Sequence, residues 1–301
     1  VKFIEDALAE SYSAMNTVIG LLRERLNKVE PARQWDVIHA SELTKDRFCP
    51  REVAITQLLG MKRPAGKLSM ALAATFGIGC ATADMVREDW LGDHAYGNWR
   101  CLRCKMRRVF EPHPEEKTTE VPCYHVWKYE EVVLNAPPEY DFNGSLDLLI
   151  SMHPGSQKLT LCELKIKDKD EFTKLIAPEP EHRIRTALYL WLAEHSTHKD
   201  AWRIDSKVGK VVYVARSFGK KNEAEGGEIM PFKEYDVPRD DVGIAGALRK
   251  AKEVAAFRSQ GVMPAKAGDP YCPLSKGCLC AAACFSGKYP DGSTCKPSEN
   301  G

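Results

Sequence analysis

Phe142-Asn143-Gly144-Ser145-Leu146-Asp147-Leu148-Leu149-Ile150-Ser151 is followed, after His153-Pro154-Gly155-Ser156, by Leu159-Thr160-Leu161-Cys162-Glu163-Leu164-Lys165-Ile166. Each half is a short run rich in Leu and Ile, and the Pro-Gly-Ser between them is turn chemistry. The pair therefore predicts two strands joined as a hairpin. Side chains on a strand alternate between its faces. Glu163 and Lys165 share one face, which Lys167 continues, while Cys162, Leu164 and Ile166 share the other. Asp147 interrupts the first run between Leu146 and Leu148. If the hairpin forms, Asp147 lies beside Glu163, and two carboxylates and an ammonium meet on one side of a sheet.

That trio suits phosphodiester hydrolysis. Two carboxylates offer hard oxygen ligands to Mg²⁺ or Mn²⁺ and leave positions for water and a phosphate oxygen. A lysine beside them orients the attacking water and offsets the charge that builds on the phosphorane. Glu163-x-Lys165 alone reads more simply as a surface ladder of opposite charges. The upstream Gly144-x-x-Asp147 on an apolar strand turns the reading toward a site.

Working outward, residues 1–30 read as a helix and residues 31–40 as a connection containing Pro31. Ser41 is placed to cap a short helix that runs toward Cys49-Pro50 and resumes through Leu59. Gly60 to Lys67 is a break, and Leu68 to Trp90 carries a helical stripe of Leu72, Thr75, Ile78, Thr82, Met85 and Val86. Strand-like Glu131–Asn135 precedes the hairpin. After it come a helix over Glu181–Glu194 with Ile184, Leu188, Trp191 and Leu192 on its apolar side, strands Val211–Ala215 and Phe232–Val237, and a helix over Asp240–Ser259. This order predicts a mixed α/β fold.

The 301 residues are 44% hydrophobic and 28% charged, the composition of a soluble globular protein with a real core. No apolar run approaches the roughly 20 residues that cross a bilayer. Val1 to Leu26 lacks the basic flank, apolar stretch and cleavage site of a secretory signal, so a cytoplasmic setting is expected, in a cell or for a virus growing inside one. A net charge of +1 gives no whole-molecule field toward nucleic acid. Contact with DNA would need local patches such as Arg100, Arg103, Lys105, Arg107 and Arg108, which read equally well as a solvated face.

Eleven cysteines are many for a reducing compartment, where clustered cysteines more often bind metal than pair. Cys101, Cys104 and Cys123 form one group; Cys272, Cys278, Cys280, Cys284 and Cys295 form another; Cys49, Cys80 and Cys162 stand alone. Residues 97–129 read as an inserted zinc ribbon. The two-residue gap between Cys101 and Cys104 makes a metal knuckle, Cys123 is a third ligand, and the fourth is His125 or, as a fallback, His113. Cys80 and Cys162 read as small core side chains.

Taken together, the chain resembles the PD-(D/E)XK nuclease superfamily: Gly144-Ser145-Leu146-Asp147 resembles its aspartate motif and Glu163-Leu164-Lys165 its E-x-K motif. The likeness extends to the RecB-like branch of CRISPR-associated and phage exonucleases, in which one cysteine precedes the nuclease core and three follow it. Cys49-Pro50-Arg51 resembles the early site, and Cys272, Cys278 and Cys284-Phe285 the late ones. The resemblance implies a restriction-endonuclease-like sheet flanked by helices and a 4Fe-4S cluster on Cys49, Cys272, Cys278 and Cys284, with Cys280 competing with Cys278 as a ligand and Cys295 a weaker alternative; the rival readings are zinc at the same four thiolates or a set of unligated buried thiols. It also implies Mg²⁺ or Mn²⁺ on Asp147, Glu163 and the carbonyl of Leu164, with Lys165 assisting water attack. Two positions depart from the branch. Ala83 stands where a metal-binding histidine is expected, and Arg185, four residues before Tyr189, stands where a glutamine is usual; Arg185 and Tyr189 are expected to steady substrate.

The organisation expected is an N-terminal helical segment (1–40), a nuclease domain (41–285) containing the ribbon (97–129), and a tail (286–301). The activity expected is DNA hydrolysis, most simply by an exonuclease acting on single strands or duplex ends. Its partners would be proteins of replication, recombination or CRISPR adaptation. The alternative is a catalytically weakened DNA-binding or scaffold protein of the same fold.

Overall fold

The computed structural model describes residues 37–60, 69–115, 123–153, 156–216, 231–266, 278 and 280–286. The N-terminal helix expected over residues 1–30 and the tail from 287 onward lie outside the described residues. The chain divides into two compact units, Val1–Gln34 with Lys62–Thr82, and Trp35–Met61 with Ala83–Gly301. Among the described residues no helix is long and apolar enough to cross a membrane.

In chain order the elements are β1 (Ile38–His39), α1 (Ala40–Leu43), α2 (Pro50–Leu58) and α3 (Met70–Met85), the last followed by a π turn over Val86–Trp90. Then come β2 (Ala95–Cys101), β3 (Arg107–Pro112), β4 (Trp127–Glu130), β5 (Val132–Asn135), β6 (Phe142–Leu146), β7 (Leu148–Ile150) and β8 (Thr160–Lys167). Finally come α4 (Lys169–Lys174), α5 (Pro180–His195), β9 (Val208–Ala215), β10 (Phe232–Pro238), α6 (Asp241–Gln260) and α7 (Ala281–Ser286).

The fold is mixed α/β. A seven-stranded sheet runs β10-β9-β8-β7-β2-β3, with β4 also paired to β2, and a three-stranded sheet runs β1-β6-β5. β7 and β8 pair antiparallel, with Leu148 opposite Cys162. β8 and β9 pair parallel, which requires a crossover, and α4 and α5 supply it. Pro180 starts α5 at a position where its missing N–H costs nothing, and the Asp240 carboxylate accepts the Gly243 amide at 2.8 Å to cap α6. One core joins Leu188, Trp191 and Leu192 of α5 to Phe142 and Leu146 of β6, Leu161 of β8 and Ile244 of α6. A second gathers Trp99, Trp127, Leu148 and Cys162.

Several expectations needed correction. Ser41 lies inside the first turn of α1; His39 is the cap residue, and its amide reaches the Glu42 carboxylate at 3.2 Å. Of the stripe expected on the long helix, only Val86 is buried, while Leu72, Ile78 and Met85 are exposed; Cys80 is exposed too, although it was expected in a core. The single strand expected over Phe142–Ser151 is two strands in two sheets, parted at Asp147. Strands from the expected ribbon insertion belong to the large sheet itself, because β2 pairs with β7 through Ala95 and Tyr96 before running on to Cys101. Its alternation is hidden in the sequence because two of the inward residues, Ala95 and Gly97, are too small to read as apolar beats.

At Gly144, β6 lies close under α5. A Cβ there would lie 2.7 Å from Leu192 Cδ1 and 2.8 Å from the Tyr189 ring, both buried and hemmed in by the core. Gly144→Ala is therefore expected to overpack this contact and cost about 1–3 kcal/mol. Urea denaturation should show a lower midpoint with an unchanged slope.

Candidate functional site

Asp147 occupies the bend between β6 and β7, where the chain leaves the small sheet for the large one. Its Oδ2 accepts the Leu164 amide at 3.0 Å, so the carboxylate fastens β8 to the bend. Asp147 and Glu163 each lie one residue beyond the Leu148–Cys162 pair that ends the β7–β8 ladder. Lys165 Nζ lies 2.6 Å from Glu163 Oε1 and 3.3 Å from Asp147 Oδ2, and donates to the Leu164 carbonyl at 3.1 Å. From α5, an Arg185 guanidinium nitrogen donates to the same Glu163 oxygen at 3.1 Å, while another binds Glu181 one turn earlier. Asp147, Glu163, Leu164, Lys165 and Arg185 thus converge. Tyr189, the next turn of α5, is buried and its ring backs onto Gly144.

Glu163 is nearly sealed, with 1% of its side chain exposed, and its Oε2 is buried without a hydrogen-bond partner among the described residues. Burial pushes the Glu163 carboxyl up, Asp147 adds to it, and Lys165 and Arg185 only partly counter them, leaving it at about 7. Burial alone would lower the Lys165 ammonium, but Asp147 and Glu163 outweigh it and raise the pKa. Tyr189 is raised well above its ordinary value by burial and then by Glu163 and Asp147, so it stays neutral.

Two members of this constellation carried no motif signal. Glu131 is the residue before β5, and it and Asp147 each lie one residue beyond the Val132–Leu146 pair that ends the β5–β6 ladder. Burial and the neighbouring Asp147 raise its carboxyl. Arg87, in the π turn after α3, approaches Glu131 Oε1 at 3.6 Å and Asp147 Oδ1 at 4.0 Å, with its guanidinium 4.8 Å over the Tyr129 ring. It sits four residues beyond Ala83, which packs instead with Val86, Leu164 and Val214. Only the register of β5 on β6 could have picked out Glu131, and that register is not visible in one sequence.

His182, earlier on α5, faces Tyr213: Nδ1 is 2.9 Å from the phenol oxygen. Burial, then the charge of Lys165, lowers this histidine to about 4.

A separate group lies at the far end of β2. One ligand atom from each of Cys101, Cys104, Cys123 and His125 falls within 4.8 Å of the others, so the group could hold a metal ion. Cys101 ends β2 and Cys104 sits in the tight turn to β3, where Lys105 adopts φ 64°. The Cys104 amide points at Cys101 Sγ at 3.5 Å, and Cys104 Sγ is 3.4 Å from His125 Nδ1. Burial opposes ionisation of Cys101, but the amide of Cys104 and the His125 ring more than offset it and lower the thiol to about 5. Burial and the nearby Cys104 and Cys101 sulfurs raise Cys123, a repulsion that a bound cation would relieve. His113 is not in the group; its ring lies edge-on to Trp99 at 4.5 Å. In the basic stretch beside the knuckle, Arg100 and Arg107 both pair with Glu130, while Arg103 and Lys105 are exposed.

Cys49, at the start of α2, and Cys278 and Cys280, just before α7, have their thiols raised first by burial and further by nearby charges that include Cys284. Cys280 is the most buried and packs with Ile55 and Ala283. Cys272 and Cys295 lie outside the described residues.

No family model matches the chain, and no curated protein matches it. It is similar to a solved structure described as the crystal structure of SSO0001, at 16% identity and a TM-score of 0.38, with 91% of this chain and 96% of that one covered. At that level the fold is read from this chain's own strands. They define a mixed α/β protein with a buried carboxylate–ammonium cluster at a sheet junction and a Cys/His group able to bind a metal ion.

Two outcomes are expected. Purified protein should carry one metal ion per chain at the Cys/His group, and Cys104→Ser with Cys123→Ser should lose it, read by elemental mass spectrometry. The lowered pKa of His182 means that the unfolded chain takes up a proton below pH 6.5 that the folded chain refuses until about pH 4. Stability should therefore be full above pH 6.5 and fall as the pH drops toward 4, by about 3 kcal/mol at the lower end. Chemical denaturation of His182→Gln across that range should show this part of the slope removed.

Proposed function

We propose that this protein is a metal-dependent DNA nuclease of the restriction-endonuclease-like type, acting from strand ends or on single strands. The observation that carries the reading is the convergence of Asp147, Glu163 and Lys165, with one ammonium within 3.3 Å of both carboxylates. The donor set fits a hard divalent cation: carboxylate oxygens from β8 and from the bend before β7, one of them, Glu163 Oε2, buried with no hydrogen-bond partner among the described residues. Asp147 and Glu163, with the Leu164 carbonyl, would hold Mg²⁺ or Mn²⁺. The ion would supply Lewis-acid polarisation of a phosphoryl oxygen and acidify bound water.

The remaining work falls to the chain's own groups. Lys165 keeps its proton at neutral pH and presents it toward the attacking water and the equatorial phosphate oxygens. Arg185, tethered to Glu163 and Glu181, supplies a guanidinium fork for a phosphate, and Tyr189 props the helix that carries it. Burial behind α5 excludes bulk water from Glu163. In this reading Cys101, Cys104, Cys123 and His125 hold structural Zn²⁺, matching the mixed thiolate and imidazole set. Cys49, Cys272, Cys278 and Cys284 hold a 4Fe-4S cluster that ties the start of the domain to its end, with Cys280 as a buried neighbour. The setting is the cytoplasm, with DNA as partner beside replication, recombination or CRISPR adaptation proteins.

A second reading, a DNA-binding or scaffold protein with weakened catalysis, is favoured by one feature. Arg185 and Lys165 already bind Glu163 Oε1, and Ala83 offers no ligand. End-labelled single- and double-stranded DNA with Mn²⁺ or Mg²⁺ separates the two. Cleavage that drops by at least about a hundredfold in both Glu163→Ala and Lys165→Ala supports the nuclease. Retention of DNA with no cleavage by wild type supports the scaffold.

A further inference from the structure

Arg87 is an unusual partner for the carboxylates it faces. Its side chain is nine-tenths buried, at 10% exposure, yet its approaches to Glu131, Asp147 and Asp84 are 3.6, 4.0 and 3.9 Å. A settled arginine–carboxylate pair closes to roughly 2.7–2.9 Å, often through two parallel bonds. Its Nε is buried with no hydrogen-bond partner among the described residues, and the guanidinium rests on the Tyr129 ring. The β5–β6 ladder ends one residue from Glu131 and Asp147, the β7–β8 ladder ends one residue from Asp147 and Glu163, and Glu163 Oε2 is buried with no hydrogen-bond partner among the described residues. Glu131 and Asp147 therefore share one buried guanidinium that closes to hydrogen-bonding distance with neither, and Asp147 in turn neighbours Glu163 through Lys165. A small hard cation, which takes oxygens at roughly 2.0–2.6 Å, suits these carboxylates better than a guanidinium does.

On the nuclease reading, we propose that Glu131 is a third carboxylate ligand of the divalent-cation site and that Arg87 competes with the cation for Asp147 and Glu131. Glu131 takes the part that Ala83 cannot play. Arg87 neutralises the carboxylates while the cation is absent and keeps the fold from holding adjacent bare charges. A phosphodiester offers Arg87 the close anion it lacks, so metal and nucleic acid favour each other's binding.

The test is Mn²⁺ binding to the full chain with its Cys/His group loaded with zinc, read by the electron paramagnetic resonance of free Mn²⁺. Glu131→Gln should weaken Mn²⁺ binding by at least about tenfold, the loss that even an outer-shell carboxylate causes. Arg87→Gln should tighten it, by on the order of tenfold, because a competing charge about 4 Å away is gone. Arg87→Lys, which keeps a cation there, should stay near wild type. Circular dichroism and thermal melting establish that each variant is folded. Unchanged affinity in folded Glu131→Gln overturns the ligand assignment, and Arg87→Gln binding no tighter than wild type overturns the competition. A wild-type protein that binds no Mn²⁺ outside its cysteine sites removes the nuclease reading itself, a result distinct from either.

Discussion

A carboxylate as thoroughly buried as Glu163 can remain in the fold only if opposite charge is brought to it, because an unpaired buried ion costs several kcal/mol. Two cations reach its Oε1. Lys165 comes from the same strand two residues on, and Arg185 from the helix that crosses back over the sheet. Each is constrained in turn: Lys165 also holds Asp147 and the Leu164 carbonyl, and Arg185 also holds Glu181. Much of the architecture around the hairpin follows from this. The Asp147 carboxylate takes the Leu164 amide, the chain bends there, and β6 and β7 go to different sheets.

The bend has a packing consequence. With β6 directed into the small sheet, its Gly144 lies under Tyr189 and Leu192, and α5 sits close enough for Arg185 to reach Glu163. A side chain at 144 would lift the helix away from the strand. The glycine of the Gly144-x-x-Asp147 pattern therefore acts through helix approach, and the aspartate through the strand junction. On the opposite face of the sheet, Cys162 and Leu148 join Trp99 and Trp127 in an apolar layer that continues toward the Cys/His group. That layer joins β2 to the main sheet, so the Cys/His group that could hold a metal ion lies at the end of a strand of the same sheet as Glu163 and Lys165.

The cysteines fall into two settings. Cys101 is lowered to about 5 by amides and an imidazole, the environment of a thiolate ready for a cation. Cys278 and Cys280 are pushed up to about 11 and about 12, first by burial; Glu52, Cys49 and Cys284 add to both, and Cys278 adds to Cys280. Thiols set this close and this deeply are costly to ionise together.

Local pattern was enough to place the hairpin, helix α5 and the shared face of Glu163 and Lys165, because strand alternation and helical periodicity are properties of neighbouring residues. The two-residue gap of Cys101 and Cys104 was legible for the same reason. The sequence favoured His125 over His113 only by its nearness to Cys123; the segment entering β4 brings the first to the thiols, and the second packs on Trp99 instead. The break at Asp147, the place of β2 inside the main sheet, and the arrival of Glu131 and Arg87 beside the acidic pair were decided by tertiary structure alone. Each depends on which strand lies next to which, and pairing between segments far apart in the chain leaves no periodic trace in either of them.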